Sequence, residues 1–275
     1  TVGLTDYLNI NFSQILGVRS MKWKNPNISD HHRDETSLTD YITSNGFRQA
    51  IGGLLGDSSI KLRYLYKNAG MKEGSRIYFG SGLSIPSNNI LTESPFLEEA
   101  EGSPQDNEGW TGEHRHFSLS EGAYKALFEL QVFKKRMSNP VFYGFACNVD
   151  IPINTSKYGF KPGISYSIVS SLVYNRTEKE KLKFLPAGIT YGLSFVGTTL
   201  ASWHGEETPN SASRLIIPSL GGVWNTSKGA LSLSLQKPVF LTGLGADDNP
   251  FHNEAHAIEI VIGYRRNLGY KIHWL

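Results

Sequence analysis

Residues 141–151 read Val141-Phe142-Tyr143-Gly144-Phe145-Ala146-Cys147-Asn148-Val149-Asp150-Ile151. Every odd position is apolar, six in succession, while Gly144, Asn148 and Asp150 fall on the even ones. Successive side chains of a strand point to opposite faces, so this segment is a strand with one apolar face and one small or polar face.

The same alternation repeats along the chain. Leu8, Ile10, Phe12, Leu16 and Val18 oppose Asn9, Asn11, Ser13, Gly17 and Arg19. Ile60, Leu62, Tyr64 and Tyr66 oppose Ser59, Lys61 and Arg63, and Ile77, Phe79, Leu83 and Ile85 oppose Tyr78, Gly80, Gly82 and Ser84. Tyr124–Val132, Ile164–Tyr174, Ile189–Phe195, Leu231–Leu235 and Ile258–Tyr264 follow suit, whereas Arg214–Trp224 is apolar on both parities and leaves its facing open. The count is about ten strands, plus one ending near Leu4 and one expected upstream of it. No helix beyond a loop turn at Leu97-Glu98-Glu99-Ala100 is expected.

The connections alternate in length. Links near 67–74, 136–140, 175–182 and 225–229 are short and turn-rich, while those near 24–52, 87–120, 152–162, 197–212 and 240–255 are long and polar. Antiparallel strands with short turns at one end and long loops at the other are the pattern of outer-membrane barrels. Tyr66, Tyr174, Trp224 and Tyr264 close strands at the short-turn end, where amphipathic rings suit a headgroup girdle. The polar parity is dominated by Asn, Ser, Thr and Gly rather than the Lys and Glu of a solvated exterior, which favours an inside-out barrel over a lipocalin-like soluble one. Since single-chain bacterial barrels carry an even number of strands, the expectation is an all-β, antiparallel transmembrane barrel of about 12 strands. It has long extracellular loops and short periplasmic turns, and residues 1–275 form one domain with 265–275 as a tail.

Composition sets the outer limits. The 275 residues carry 27 basic and 25 acidic side chains, a net charge of +2 that offers no electrostatic case for nucleic acid. Hydrophobic residues at 39% and aromatics at 12% are too abundant for a disordered chain. The single cysteine, Cys147, excludes an intramolecular disulfide and a thiolate zinc site, and its place on the apolar parity reads as a small lipid-facing hydrophobe. No apolar run approaches the ~18–20 residues of a membrane helix. No signal-peptide pattern opens the chain, which is expected to be mature or truncated.

Several motifs carry a resemblance. Gly53-Leu54-Leu55-Gly56-Asp57 followed by Ile60-Lys61-Leu62-Arg63-Tyr64 resembles the Gly-x-Gly-Asp turn and alternating strand of the meta-pathway phenol-degradation family of outer-membrane transporters. Gly80-Ser81-Gly82-Leu83-Ser84-Ile85-Pro86-Ser87 is similar to that family's glycine-rich strand, with Ser87-Asn88 in place of its final small residues. Val2-Gly3-Leu4-Thr5-Asp6 resembles its opening, and His116-Phe117-Ser118-Leu119-Ser120-Glu121-Gly122 is a further similar stretch. The tail 265–275 departs from the usual terminal strand ending on an aromatic. The resemblance implies an outer-membrane barrel of a Gram-negative bacterium that passes small compounds, hydrophobic ones included, and performs no chemistry. Membrane lipid and lipopolysaccharide are the implied surroundings. Two other classes compete: a non-conducting barrel that serves as a subunit of a larger cell-envelope complex, and a lipid-modifying hydrolase.

Three groups of residues are candidates for function. Arg19, Lys61, Arg63, Lys125, Glu129, Asp150 and Glu259 share the polar parity and are expected to line the lumen, either paired with one another or guiding a solute. Seven of the eight histidines fall in or beside the long connections, His273 being the exception. His31, His32, His114 and His116, with Asp34, Glu35 and Glu113, have the imidazole and carboxylate chemistry of a divalent-metal site over the barrel mouth, and His204 is expected to converge with them. No other cofactor is expected. A hydrolase would draw on Ser118 or Ser120 with His114 or His116 and Glu121. Asp57 after Gly56 reads as a turn residue, and the Asn-x-Ser/Thr triplets at Asn154, Asn175 and Asn225 as turn chemistry.

Overall fold

The structure, a computed structural model, describes residues 1–17, 54–69, 73–91, 118–135, 141–175, 185–208, 211–243 and 257–266. Its elements are all strands: β1 (Val2–Gly3), β2 (Leu8–Leu16), β3 (Leu55–Asn68), β4 (Gly74–Ile85), β5 (Lys125–Lys135), β6 (Val141–Pro152), β7 (Phe160–Lys161), β8 (Ser165–Asn175), β9 (Gly188–Thr198), β10 (Ser202–Trp203), β11 (Glu206–Glu207), β12 (Ser213–Thr226), β13 (Gly229–Gln236), β14 (Val239–Thr242) and β15 (Glu259–Arg265). Twelve of them form one antiparallel sheet in the order β1-β2-β3-β4-β5-β6-β8-β9-β12-β13-β15, with β14 also on β12. β13 and β14 are one strand in two pieces, interrupted at Lys237-Pro238, since proline cannot donate to a ladder. Among the described residues β1 and β15 do not pair with each other, so the sheet ends on two edges.

The register carries the alternation around the whole sheet. Ile60 lies opposite both Phe12 and Leu83, Phe128 opposite Val149, Cys147 opposite Leu130 and Ile168, and Tyr191 opposite Leu172 and Leu220. Leu220 in turn faces Leu235, and Leu233 faces Ile262. Directly opposed residues share a face, so the apolar parities of successive strands fuse into one apolar surface. This settles β12: Ile216, Pro218, Leu220 and Trp224 belong to that surface, while Ile217, Ser219, Gly221 and Val223 lie on the polar one.

Burial alternates in the sense opposite to a water-soluble sheet. In β13, Leu231, Leu233 and Leu235 are exposed, while Ser232 and Ser234 between them are partly covered. In β3, Ile60, Leu62, Tyr64 and Tyr66 are exposed, and Lys61 and Arg63 are half-buried. The aromatics Tyr64, Tyr66, Phe79, Tyr143, Tyr191 and Tyr264 are exposed toward the short-turn end, and Tyr66 meets Phe79 edge-on at 5.7 Å between ring centroids.

Long and short connections alternate as the sequence predicts except after β8, where the link expected to be short is as long as the one over 153–164. β8 ends at Asn175 and β9 begins at Gly188, so the link expected near 175–182 runs over residues 176–187. Three turn assignments also change, the first being Asn175, which ends β8 opposite Gly188. Asp57 is a residue of β3 whose Oδ1 accepts the Ser87 N–H at 3.2 Å, and Asn225 is a residue of β12 opposite Ala230.

Apart from Leu65 and Glu129, the tightly buried side chains gather at the long-loop end. Ile90, Leu119, Ala123, Ala201 and Trp203 are buried there together with Asn89, Ser120, Ser156 and Thr208. Asn89 clamps two segments: its Oδ1 accepts the Leu119 N–H at 3.2 Å and its carbonyl accepts the Ser120 N–H at 3.0 Å. Further along, β7, β10 and β11 make a separate three-stranded sheet in which Phe160 packs on Trp203 at 5.1 Å.

Candidate functional site

Glu129 on β5 is the centre of the polar face. Its side chain is 2% exposed, and it receives two cations from β3: Lys61 Nζ donates to Oε2 at 2.7 Å, and Arg63 Nη2 stands 2.6 Å from Oε1. The strand between them makes this reach possible. Gly80 of β4 lies directly between Arg63 and Glu129 in the register, and Gly82 lies opposite Lys61. With no side chains at these two positions, β4 is a trough across which the basic chains lie. A Cβ at Gly82 would stand 2.7 Å from Lys61 Cα, and one at Gly80 would stand 3.1 Å from Glu129 Cβ. Glycine is required for close approach at Gly82, while at Gly80 a side chain would need Glu129 to give way.

A buried carboxylate is costly unless paired. Two cations on one anion leave this cluster with a net positive charge, and Lys61 and Arg63 keep 24% and 19% exposure toward the open side of the face. Asn9 of β2 lies directly opposite Arg63 on the other flank. Three buried polar atoms in this row have no hydrogen-bond partner among the described residues: Asn9 Oδ1, Arg63 Nε and Glu129 Oε1. Arg63 Nη2 and Glu129 Oε1 form an ion pair by distance, without the alignment of a hydrogen bond.

The other expected lumen residues are placed as follows. Lys125 shares the face and pairs with Glu121, four positions before it. Asp150, opposite Leu127 and Ser165, feels the charges of Lys125 and Lys61. Glu259 faces Gln236 but sits exposed on the edge strand β15, apart from the cluster. Arg19 lies outside the described residues. From β8 to β13 the polar face changes character: it is uncharged and mixes Ser167, Ser171, Thr190, Gly192, Ser194, Ser219, Gly221, Ser232 and Ser234 with the aliphatic Val169, Val173, Val196, Ile217 and Val223. The face thus has a charged sector on β3–β5 and a neutral sector on β8–β13.

The loop candidates fare differently. His31, His32, His114, His116, His252 and His256, with Asp34, Glu35 and Glu113, lie outside the described residues. His204 is described, in the turn between β10 and β11 at φ 50°, with its ring against Gly159 and its backbone N–H donating to the Gly159 carbonyl at 2.9 Å. No group of three metal-ligating side chains is found among the described residues. Ser118 and Ser120 are engaged in local structure: Ser118 Oγ donates to the Ser120 carbonyl at 2.7 Å, and Ser120 Oγ accepts the Gly122 N–H at 3.0 Å and bonds to Asp57. Asn154 Oδ1 accepts the Tyr124 N–H at 2.7 Å and so ties the loop before β5 to the one after β6.

Sequence reasoning grouped Lys61, Arg63 and Glu129 by parity but missed Asn9, Gly80 and Gly82 as parts of their site. The signal was present as a pair of glycines two apart on the polar parity of β4 beside two cations two apart on β3. Only the register joins them. No protein-family model matches this chain, and no curated protein matches it.

Proposed function

We propose that this chain is a transmembrane β-barrel of the outer membrane through which small compounds, hydrophobic ones among them, pass without chemistry. The observation that carries this reading is the inverted burial: Ile262, Leu233 and Leu62 are 71%, 42% and 47% exposed on a face that runs unbroken across the sheet, while Glu129 is buried on the other. Burying one large apolar side chain contributes about 1.5–3 kcal/mol. Leaving ten of them half-exposed to water forfeits on the order of 10 kcal/mol, which equals the whole stability of an ordinary domain. Hydrocarbon removes that loss. The strands β3, β4, β5, β6, β8, β9 and β12, of 11–14 residues, reach or exceed the ~9–11 needed to span a bilayer at a tilt. Closure of β15 on the N-terminal edge would leave no unpaired backbone in lipid, as spanning requires.

The test is depth and accessibility. A spin label at position 62 is expected to be relaxed by oxygen dissolved in lipid, and one at position 61 by a water-soluble nickel chelate. Both labels in water would overturn the membrane reading. Flux of small solutes into liposomes then tests conduction. The Lys61–Glu129–Arg63 cross-links favour the second reading, a plugged barrel acting as a subunit of an envelope complex, and a correctly inserted but silent protein would select it.

A further inference from the structure

The geometry points to residues 118–123 as an inward strap that limits the size of solute passing the long-loop end, seated on Gly56 and Asp57 of β3. The strap has this role only on the reading of the polar face as a solute-accessible lumen. Its seat is a bulge. Gln14 lies opposite Ser58 and Leu16 opposite Leu55, so β3 carries one residue more than β2 over this stretch. Bulges re-aim side chains, and this one turns Gly56 and Asp57 onto the same face. A Cβ at Gly56 would stand 2.8 Å from Ile15 Cγ2, and Ile15 shares the polar parity of Asn9, Asn11 and Ser13. Asp57 shares the parity of Lys61 and Arg63 and feels the charge of Lys125.

The strap lies against that seat. The Leu119 carbonyl oxygen is 2.6 Å from the Cβ position of Gly56, the Leu119 side chain reaches Gly17 just past β2, and Ser120 bonds to Asp57. A segment that leads into β5 therefore crosses the polar ends of β4 and β3 to touch β2. Neighbouring strands are about 4.7–4.9 Å apart, so the crossing covers roughly 15 Å of the inner wall. The strap is packed rather than loosely draped: Leu119, Ser120 and Ala123 are 7%, 3% and 0% exposed, and Ser84, on the polar parity of β4 at that level, is buried too. Gly122, at φ 73°, makes the turn from the strap toward β5. Glu121 is its exposed side chain, paired with Lys125, so a carboxylate and an ammonium face the remaining bore.

The test uses the full chain in liposomes and reads the uptake of two neutral sugars, the small arabinose and the larger raffinose. Ser120→Ala removes the oxygen that bonds Asp57 and Gly122. It is expected to raise raffinose uptake about five- to tenfold, the loss of one hydrogen bond in the seated state, while arabinose uptake changes little. Gly56→Ala, whose methyl group would enter the Leu119 carbonyl, is expected to act in the same direction by sterics alone. Ser81→Ala, on the apolar face of β4 opposite Leu62 and Phe128, is expected to leave both rates unchanged. A silent parent protein that admits sugar once Ser120 or Gly56 is replaced would show that the strap closes the bore outright. Equal raffinose-to-arabinose ratios in all four proteins would overturn the strap and leave conduction standing. No uptake of either sugar by any of the four, with a label at position 62 in lipid, would overturn conduction and the strap with it.

Discussion

Arg63 and Glu129 belong to strands that do not pair with each other, yet Arg63 Nη2 lies 2.6 Å from Glu129 Oε1 because the strand between them carries Gly80 at that level. The cluster is therefore a property of three strands, and each contribution can be removed separately.

Removal of the carboxylate is the most disruptive change. Glu129→Ala leaves Lys61 and Arg63 on one face without their shared anion. Breaking a buried pair by removing one partner costs about 3–5 kcal/mol, and the partial exposure of the two cations places the expected loss near the lower end, about 3 kcal/mol. Urea unfolding in lipid vesicles measures it. A change below about 0.5 kcal/mol would show that the cations are already hydrated.

Filling the trough acts through sterics instead. Gly82→Val drives a side chain into the Ile60 carbonyl and into Lys61, whose Cα would stand 2.7 Å from the new Cβ, and overpacking of this kind costs about 1–3 kcal/mol. Gly3, whose Cβ position meets nothing within 4 Å, supplies the control: Gly3→Val is expected to be near neutral. Equal unfolding midpoints for the two variants would show that β4 yields freely.

The two parities of β13 make opposite demands. Leu233→Arg places a charge on the exposed apolar face and is expected to cost about 2–4 kcal/mol in a bilayer if it lies near the midplane. Ser234→Ala, on the covered face, is expected to change stability little. The same Leu233→Arg protein would gain solubility without loss of stability if that face met water.

The loop clamp is testable on its own. Asn89 is 1% exposed and its side chain accepts the Leu119 N–H. Asn89→Ala strands that buried donor at a cost of about 1–3 kcal/mol. Hydrogen exchange at Leu119 is expected to accelerate while β5 and β6 stay protected, because the lesion lies in the loop core rather than the sheet.

Much of the fold is legible in the sequence because a strand's period of two writes its facing directly into residue order. Val141–Ile151 announces β6, and Leu231–Leu235 announces β13, from local pattern alone. The link after β8 was less legible, since Lys181-Leu182-Lys183-Phe184 alternates as a strand does while β9 starts only at Gly188, beyond Pro186. Arg214–Trp224 was ambiguous because both its parities are apolar, and its facing follows only from Tyr191 and Leu235 on either side.

The sequence by itself determined the strand parities, the alternation of short and long connections outside the link after β8, and the set of charged residues on the polar parity. The tertiary structure alone decided which of those charges meet. Lys61 and Glu129 are 68 positions apart, and Glu259 shares their parity yet sits on an edge strand away from them. Parity assigns a residue to a face, but the register of each hairpin fixes its height, and contact between side chains requires both.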